Sequence, residues 1–422
     1  MVELVAIVAI GYVVWFAMQS RFDAVLAIAI QLLLFLVGLV VYASRGELPW
    51  WPPVLFGFAI ASFLFGSYMC KRIFLTERSP RTENFGVPDL VVWSVVTFAG
   101  SLAVYHLIAG GIPLLSSSIE RQRFDFTSSG LFGVPGRMFL FGVQISWAFA
   151  GANATAKGLR WRNYTPSLTA TTILVSTTLL SGFKGAIAST AILSACLYVM
   201  ITRSDIRLKE VALRYWWAAV PAGIYFFGVA TLYGTYKTNQ NPLWVQLFER
   251  ATTVGAEPAK LIIGGEFERD NYTLLSDLGY FLAKYTGLDT FSMVPFERVV
   301  SAEIIGVDPF SSAWAPPVTI TGFVEAYYWF GAVLALLLIA LAGFALAWIT
   351  RSSIRSAPGM FARIVALLAI YNWLIKGGLA YYLINPVAVG GMLGIVAVVA
   401  WIIAGGRTEG RRQRLPALAR GG

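Results

Sequence analysis

The sequence is poor in the residues that hold metal ions or form disulfide bonds. Among 422 residues there are two cysteines and one histidine, and no Asp-x-Asp pair occurs. Both Cys70 and Cys196 lie within apolar runs, which excludes a disulfide framework and a C-x-x-C metal pair. With so few zinc ligands and no paired aspartates for a divalent cation, we expect neither a metal nor another cofactor.

Charged residues are also scarce. They make up 13 % of the chain, whereas 57 % of residues are hydrophobic and the mean hydropathy is +0.69. A soluble fold could not bury so much apolar surface, so this composition indicates an all-α polytopic membrane protein. The formal net charge of +10 would favour nucleic acid in a soluble protein. In a membrane protein its distribution matters more than its sum, and we expect no nucleic-acid partner.

The apolar runs are long enough to cross a bilayer many times. With a window of about 20 residues, the length that spans the hydrocarbon, the sequence predicts eleven transmembrane helices. They lie near residues 2–19, 24–43, 52–70, 90–109, 138–155, 166–182, 186–202, 215–233, 322–349, 359–378 and 384–405. The first run has no basic segment before it and no clear cleavage site after it, so we interpret it as a retained span.

Basic residues follow every second predicted span. Arg72, Lys157, Arg207, Arg351 and Arg411 represent these clusters, and with eleven spans all of them fall on one side of the membrane. Positive connections are normally cytoplasmic. The sequence therefore predicts an external N-terminus and a cytoplasmic C-terminus.

The connection from about 234 to 318 is much longer than the others, and loops of this length are usually functional or disordered. Apolar residues recur at helical spacing from Leu274 to Leu282, while Asp277 and Lys284 lie off that stripe. This pattern predicts an amphipathic helix that rests on the membrane or on the bundle. A weaker helix is expected near 242–251. We thus expect one membrane domain over residues 1–422, with 234–318 as an external helical cap.

Several basic residues lie outside in this topology, where arginine near a span is normally avoided. A guanidinium binds phosphate through a bidentate fork, so these positions favour a lipid diphosphate at the membrane surface. The alternative is that long loops translocate regardless of charge and that these residues pair with nearby acids such as Glu120 and Asp125. The candidates for diphosphate binding are Arg121, Arg123, Arg137, Lys184, Arg250 and Lys376.

Lys184 lies in SGFKGA, a predicted external hairpin between the sixth and seventh spans. It is either a lysine whose charged head reaches water at a turn or a ligand for an anionic substrate. Gly182 and Gly185 favour the second interpretation, since they let a large headgroup approach the backbone closely.

Glu325 is the one carboxylate that we predict at bilayer depth, within TGFVEAYYWFG. A buried carboxylate could accept the proton of an acceptor hydroxyl, and we name Glu325 and Arg298 as candidate catalytic residues. The alternative for Glu325 is a pair with Lys376 or a capped helix start. Glu297 and Asp308 are weaker candidates, because carboxylates in loops are usually solvated.

Two further polar residues lie near predicted span ends. Asn372 and Lys376 share one face of the tenth span and could line the same cavity. His106, the single histidine, is more typical of an interfacial hydrogen-bonding residue than of a catalyst.

Three stretches together carry a family resemblance. They are GGIPLLSSSIERQRFDF after a span, SGFKGA, and WAPPVTITGFVEAYYWFGAVLALLLIALAG entering a late span. With the long external loop, they resemble the Wzy-like O-antigen and oligosaccharide repeat-unit polymerases over residues 90 to 350. In that family the hairpin usually carries Ser-Gly-x-Arg-Gly, so Lys184 keeps the charge but lacks the guanidinium fork.

The resemblance implies a GT-C type glycosyltransferase in the bacterial inner membrane. Such an enzyme transfers a growing glycan from undecaprenyl diphosphate to a sugar hydroxyl of a lipid-linked repeat unit, at the periplasmic face and without a metal. The expected partners are the lipid-linked oligosaccharide, membrane lipids and a co-polymerase that regulates chain length. An O-antigen ligase that transfers glycan to lipid A core and a polytopic lipid or polysaccharide transporter are the alternatives.

Overall fold

The computed structural model describes residues 22–74, 86–116, 133–181, 186–202, 252–267, 272–286, 294–309, 318–352 and 356–418, with isolated positions between 206 and 249. The described elements are predominantly helical. In chain order the helices are α1 Ala24–Ser44, α2 Trp51–Phe74, α3 Asp89–Gly110, α4 Val143–Ala156, α5 Thr165–Leu180, α6 Ala186–Thr202, α7 Thr253–Gly264, α8 Leu274–Thr286, α9 Phe296–Ile305, α10 Gly322–Arg351, α11 Ala357–Lys376 and α12 Asn385–Leu418.

Two π-helical turns interrupt this pattern. Met138–Gly142 joins the short helix Val134–Arg137 to α4, and Ala380–Ile384 leads directly into α12. Such turns insert one residue into an α-helix and are frequent at functional sites.

Among the described residues, six helices are long and apolar enough to cross a membrane, which supports the predicted membrane character. They correspond to the predicted spans near 24–43, 52–70, 90–109, 322–349, 359–378 and 384–405. The predicted spans near 138–155, 166–182 and 186–202 coincide with α4, α5 and α6, which have 14, 16 and 17 residues. The span near 2–19 and most of that near 215–233 lie outside the described residues, so eleven spans stay a prediction.

Local capping explains where two of these helices begin. The Asp23 carboxylate accepts a hydrogen bond from the backbone N–H of Leu26 at 2.8 Å, at the start of α1. Ser356 accepts from the N–H of Gly359 at 3.2 Å and starts α11. Both caps satisfy a backbone donor that the first helical turn leaves without a partner.

The closest helix pair is α2 with α10. A Cβ atom on Gly66 would lie 1.8 Å from the carbonyl oxygen of Ala340, and one on Gly343 would lie 2.1 Å from that of Phe63. Backbones can approach this closely only where side chains are absent. Phe56 contacts Phe323 near the starts of the two helices, and Phe74 contacts Phe344 nearer their ends, so the helices run in the same direction.

Polar contacts fasten one end of the bundle. The Lys157 ammonium lies 2.6 Å from the Asp89 carboxylate, which also accepts from the Tyr164 hydroxyl at 2.5 Å. Asn153 donates to that hydroxyl at 2.8 Å and accepts from the N–H of Val87. Asp23 and Arg351 form an ion pair at the meeting point of α1 and α10. We call this the fastened end.

The three helices α7, α8 and α9 lie at the opposite end, which we call the cap end. A Cβ on Gly38 of α1 would lie 2.3 Å from the carbonyl oxygen of Thr252, so α7 packs tightly on α1. The ammonium of Lys260 lies 3.2 Å from the Glu47 carboxylate in the α1–α2 connection. Most described residues of the predicted external cap are therefore helical.

The orientation of α8 differs from the prediction. Asp277 was expected off the buried stripe, but it is fully buried, whereas Leu275 and Leu282 are 78 % and 59 % exposed. The face that packs inward holds Asp277 and Phe281. Hydrogen bonds to Asp277, described below, offset the cost of burying it, and the exposed leucines form the outer face of the helix.

Candidate functional site

Among the described helices, α10 is interrupted at Gly331 and α11 is separated from the π turn by Gly377 and Gly378. Within α10, Gly331 has φ 73° and ψ 176°, so the helix is interrupted two turns after its start. Between α11 and the π turn, Gly377 and Gly378 have φ of 70° and 66°. Glycine adopts such positive φ values without strain, and each break leaves backbone groups that need partners.

Glu325 supplies a partner for one of these groups. It is 1 % exposed, and its carboxylate oxygens lie 2.7 Å and 2.9 Å from the backbone nitrogen of Leu379, which donates. The indole N–H of Trp373 donates to the same carboxylate at 3.0 Å. Glu325 on α10 thus binds both sides of the Gly377–Gly378 break.

Glu297 on α9 lies on the other side of that break. A Cβ on Gly378 would lie only 1.9 Å from Oε1 of Glu297, so the carboxyl group rests directly on the glycine backbone. The backbone N–H of Val318 donates to the Glu297 carbonyl at 3.4 Å, and that of Ile320 donates to the Lys376 carbonyl at 3.1 Å. These two bonds tie the segment before α10 to α9 and to the end of α11.

Asp277 on α8 completes the group of acids. Its Oδ1 accepts from the backbone N–H of Phe296 at 3.0 Å and lies 3.3 Å from the Tyr272 hydroxyl, which also contacts the Val294 carbonyl. Its Oδ2 is buried and has no hydrogen-bond partner within the described residues. Buried polar atoms are nearly always paired, so this oxygen is the chemically unsatisfied atom of the group.

Burial perturbs the two acids that lie outside the membrane-spanning helices. It raises the pKa of Asp277 to about 6, although the bonds from Phe296 and Tyr272 oppose the shift. The pKa of Glu297 is raised well above its usual range, first by burial and then by the negative charges of Asp277 and Glu325. The acids Asp277, Glu297 and Glu325 therefore interact electrostatically, and we call them the acid cluster.

Basic residues lie close to the acid cluster. Tyr280 of α8 is within electrostatic range of Glu297, Arg298 and Arg137, and burial together with Glu297 raises its pKa. Arg137 is 5 % exposed, with its guanidinium against Gly133. The Lys376 ammonium lies 5.3 Å from the centre of the Tyr382 ring. Three predicted site residues, Arg137, Arg298 and Lys376, are thus found at the cap end.

Aromatic rings form one wall of the cluster. Phe296 stacks on Tyr328 with ring centres 4.7 Å apart and lies at the same distance from Trp329. Tyr272 stacks on Phe296 at 5.9 Å. This packing lowers the polarity around the acids, which strengthens electrostatic interactions there.

The other predicted site residues are not described. Arg121, Arg123, Lys184 and Arg250 lie outside the described residues. Their predicted role in diphosphate binding, and both interpretations of Lys184, stay predictions.

The weaker sequence candidates have different outcomes. Glu297 was expected to be solvated, but it is buried; Asp308 is exposed, as expected of a loop carboxylate. His106 is buried and lies against Phe139. Asn372 donates to the carbonyl of Leu368 in its own helix at 2.8 Å. Glu325 and Lys376 form no salt bridge within the described part of the chain.

Asp277, Tyr272 and Gly378 were missed by the sequence interpretation. Asp277 was assigned to the outer face because the leucines around it define a stronger apolar stripe. The sequence did contain one signal. Asp277 lies four residues before Phe281, so the two share a helix face, and that face is the buried one.

A separate apolar cavity of about 600 Å³ lies between α3 and α5. Two hydroxyls on its wall bond to their own helix, Thr172 to the Leu168 carbonyl and Thr177 to that of Ile173. Its lining is Val104, Leu107, Ile108, Gly111, Ile112, Thr172, Ile173, Ser176, Thr177 and Leu180.

The acid cluster is not arranged as a metal site. Across the residues that the structure describes, no three His, Cys, Asp or Glu side chains are placed to hold a metal ion. When the chain is compared with known proteins, no family model, no curated protein and no solved structure matches it.

Proposed function

We propose that the protein is a membrane glycosyltransferase that polymerises oligosaccharide repeat units carried on undecaprenyl diphosphate, with its reaction centre at the acid cluster. The observation that carries the proposal is that two buried acids of the cap helices, a buried acid of α10 and nearby basic residues lie together at one end of a membrane bundle. The sequence resemblance described above supplies the substrate class.

The proposed reaction is a displacement at the anomeric carbon of the donor. The acceptor hydroxyl oxygen forms a bond to that carbon as the bond to the diphosphate oxygen breaks. The proton of the hydroxyl passes to a carboxylate, and the lipid diphosphate leaves with the bonding electron pair. Atoms and charges balance without a redox partner.

Each part of the site has a task in this reaction. A base works best when its pKa lies near the working pH, and that of Asp277 at about 6 meets this condition. Negative charge grows on the leaving diphosphate, and fixed cations in a site that excludes water stabilise it strongly. Arg298 and Arg137 are the described candidates, together with Lys376, and Arg121, Arg123, Lys184 and Arg250 are proposed to join them.

The test uses purified protein and purified lipid-linked repeat units. Wild type is expected to build a ladder of polymer lengths, and Arg298→Ala and Arg137→Ala to lose at least tenfold in rate, given about 1.5–3 kcal/mol per charge-assisted hydrogen bond. Asp308→Asn, an exposed acid in the same cap, is the control and is expected to match wild type. Absence of any polymer with wild type, in a protein that is folded and inserted, would refute the proposal.

A ligase would use the same donor, and its product distinguishes it. Deletion of a polymerase gene leaves single repeat units attached to the cell's lipopolysaccharide, whereas deletion of a ligase gene removes all attached glycan. We expect the first pattern.

A transporter is the second candidate, and the broken helices favour it. Substrate sites of many transporters lie where membrane helices are interrupted; α10 is interrupted at Gly331, and the break between α11 and α12 lies beside the buried Glu297. Uptake of a lipid-linked repeat unit across proteoliposomes, without polymer formation, would support this alternative.

A further inference from the structure

The acid cluster contains three carboxyl groups, and the surroundings of Glu325 and Asp277 indicate different roles for these two. Glu325 was the sequence candidate for the base. Its carboxylate, however, already has two fixed donors: the N–H of Leu379, which both oxygens share, and the indole N–H of Trp373. Because each of its oxygens faces a fixed donor, Glu325 is less suited to take a proton from a substrate than a carboxylate with one oxygen that has no partner.

We infer that Glu325 is a positioning residue, which holds the Gly377–Gly378 break against α9, and that Oδ2 of Asp277 is the atom that accepts the proton of the acceptor hydroxyl. The role of Asp277 rests on the proposed function. The role of Glu325 concerns the architecture alone.

The position of Leu379 explains what Glu325 does. Leu379 is the first helical residue after the break, so its N–H belongs to the positive end of the helix that continues into α12. Glu325 neutralises that end from a neighbouring helix, much as an N-cap residue does from its own chain. This helix start is therefore already occupied by an internal anion and does not serve as a phosphate site.

The packing around the break shows why its position matters. Gly322, one turn before Glu325, lies so close to Trp373 that a Cβ would be 2.9 Å from the indole ring. On the other side, the Glu297 carboxyl rests on Gly378. A displacement of the break would move Glu297, and α9 donates the Phe296 N–H that orients Asp277.

Asp277 has the arrangement that a base requires. One oxygen accepts from the Phe296 N–H, which orients the carboxylate, and the other has no partner among the described residues. Since Asp277 is fully buried, a substrate reaches Oδ2 only when the cap helices move apart. Closure over the substrate would then exclude water from the reaction.

The experiment compares Glu325→Gln, Glu325→Ala and Asp277→Asn by two measurements. The first is hydrogen exchange of the Leu379 amide in the purified protein, and the second is the rate of polymer formation. Glutamine keeps an oxygen for Leu379 but cannot act as a base. We expect Glu325→Gln to keep the amide protected and the rate within about tenfold of wild type, whereas Glu325→Ala exposes the amide about 10- to 100-fold faster and loses activity.

Asp277→Asn is expected to leave Leu379 protected and to lower the rate at least a hundredfold, the scale of acid–base catalysis. Loss of activity in Glu325→Gln, with or without protection, would overturn the positioning role, and full activity of Asp277→Asn would overturn the role of Asp277. If wild type forms no polymer, the proposed function fails, while the exchange of Leu379 in Glu325→Gln still decides whether Glu325 holds the break.

Discussion

At the scale of single residues, the same chemical group has different properties in different surroundings. Asp277 and Asp308 are both cap aspartates, yet one is fully buried and the other is exposed. Burial disfavours the ionised carboxylate, and it raises the pKa of Asp277 to about 6. This difference has a consequence for stability.

We predict that Asp277 makes the protein less stable as pH rises from about 4 to 7. Its folded pKa lies above the ordinary value of 3.8, so the folded state binds the proton more tightly and loses this advantage as pH rises through about 6. Asp277→Asn should remove this loss and raise stability at pH 7 by on the order of 2 kcal/mol. Thermal unfolding in detergent at pH 5 and pH 7 measures it.

Asp308→Asn serves as the matched control, because it makes the same chemical change at an exposed position of the same cap. An identical slope for Asp277→Asn and wild type would contradict the prediction. In the unfolding and activity assays together, we expect Asp277→Asn to be more stable than wild type at neutral pH and to be inactive.

A second residue prediction concerns Gly378. An alanine there would place its Cβ 1.9 Å from Glu297 and would adopt φ 66°, which is costly for any residue with a side chain. We expect Gly378→Ala to destabilise the protein by about 2 kcal/mol or more and to reduce activity. Gly391→Ala in α12 is the control, since nothing lies within 4 Å of its Cβ position. Equal melting temperatures for the two variants would show that the break tolerates a side chain.

The sequence predicts some of these residue properties and not others. Glu325 stands out as one acid in a long apolar run, and it is buried as expected. Its partners could not be predicted, because Trp373 and Leu379 lie about 50 residues away and are brought near by tertiary packing. The sequence interpretation placed Asp277 on the outer face of α8, because an apolar stripe of leucines has the same sequence pattern whether it faces outward or packs on a core.

At the scale of elements, hydropathy predicts where helices run but not where they break. The apolar run across residues 322–349 predicts one continuous span, whereas Gly331 interrupts it. A single glycine within a helical pattern is normally tolerated, so it gives no clear signal of a break. The π turns at Met138–Gly142 and Ala380–Ile384 are likewise not marked by any local sequence pattern in this chain.

We predict that α2 and α10 depend on two glycines for their contact. Gly66→Ala or Gly343→Ala would drive a Cβ into a backbone carbonyl, which cannot move aside as a side chain can. Each variant should lose about 1–3 kcal/mol of stability. Gly57→Ala lies in the same helix with open space around its Cβ position, and it should behave as wild type or slightly better. Denaturation monitored by tryptophan fluorescence compares the three, and equal loss in Gly57→Ala would contradict the packing argument.

At the scale of the whole molecule, the two ends are built differently. The fastened end is joined by ion pairs and hydrogen bonds between connections, whereas the cap end holds buried acids and broken helices. The proposed orientation places the cap end outside. We predict that a cysteine at Glu266, exposed on the cap, reacts with an impermeant maleimide in intact spheroplasts, and that one at Arg160 on the fastened end does not.

The background of this labelling experiment is low, because both native cysteines are buried. Labelling of the Arg160 variant alone would reverse the proposed orientation, and labelling of both in sealed cells would contradict the placement of the two ends on opposite sides.

The contact between α2 and α10 has a mechanical consequence. Gly66 and Gly343 bring the backbones of α2 and of the later part of α10 into close contact, and such contacts resist displacement of either helix. Residues 322–330, which carry Glu325 and Trp329, form the part of α10 before Gly331 and are about 13 Å long. Because Gly331 separates these two parts, a change in its backbone dihedral angles would move Glu325 relative to the contact between α2 and α10.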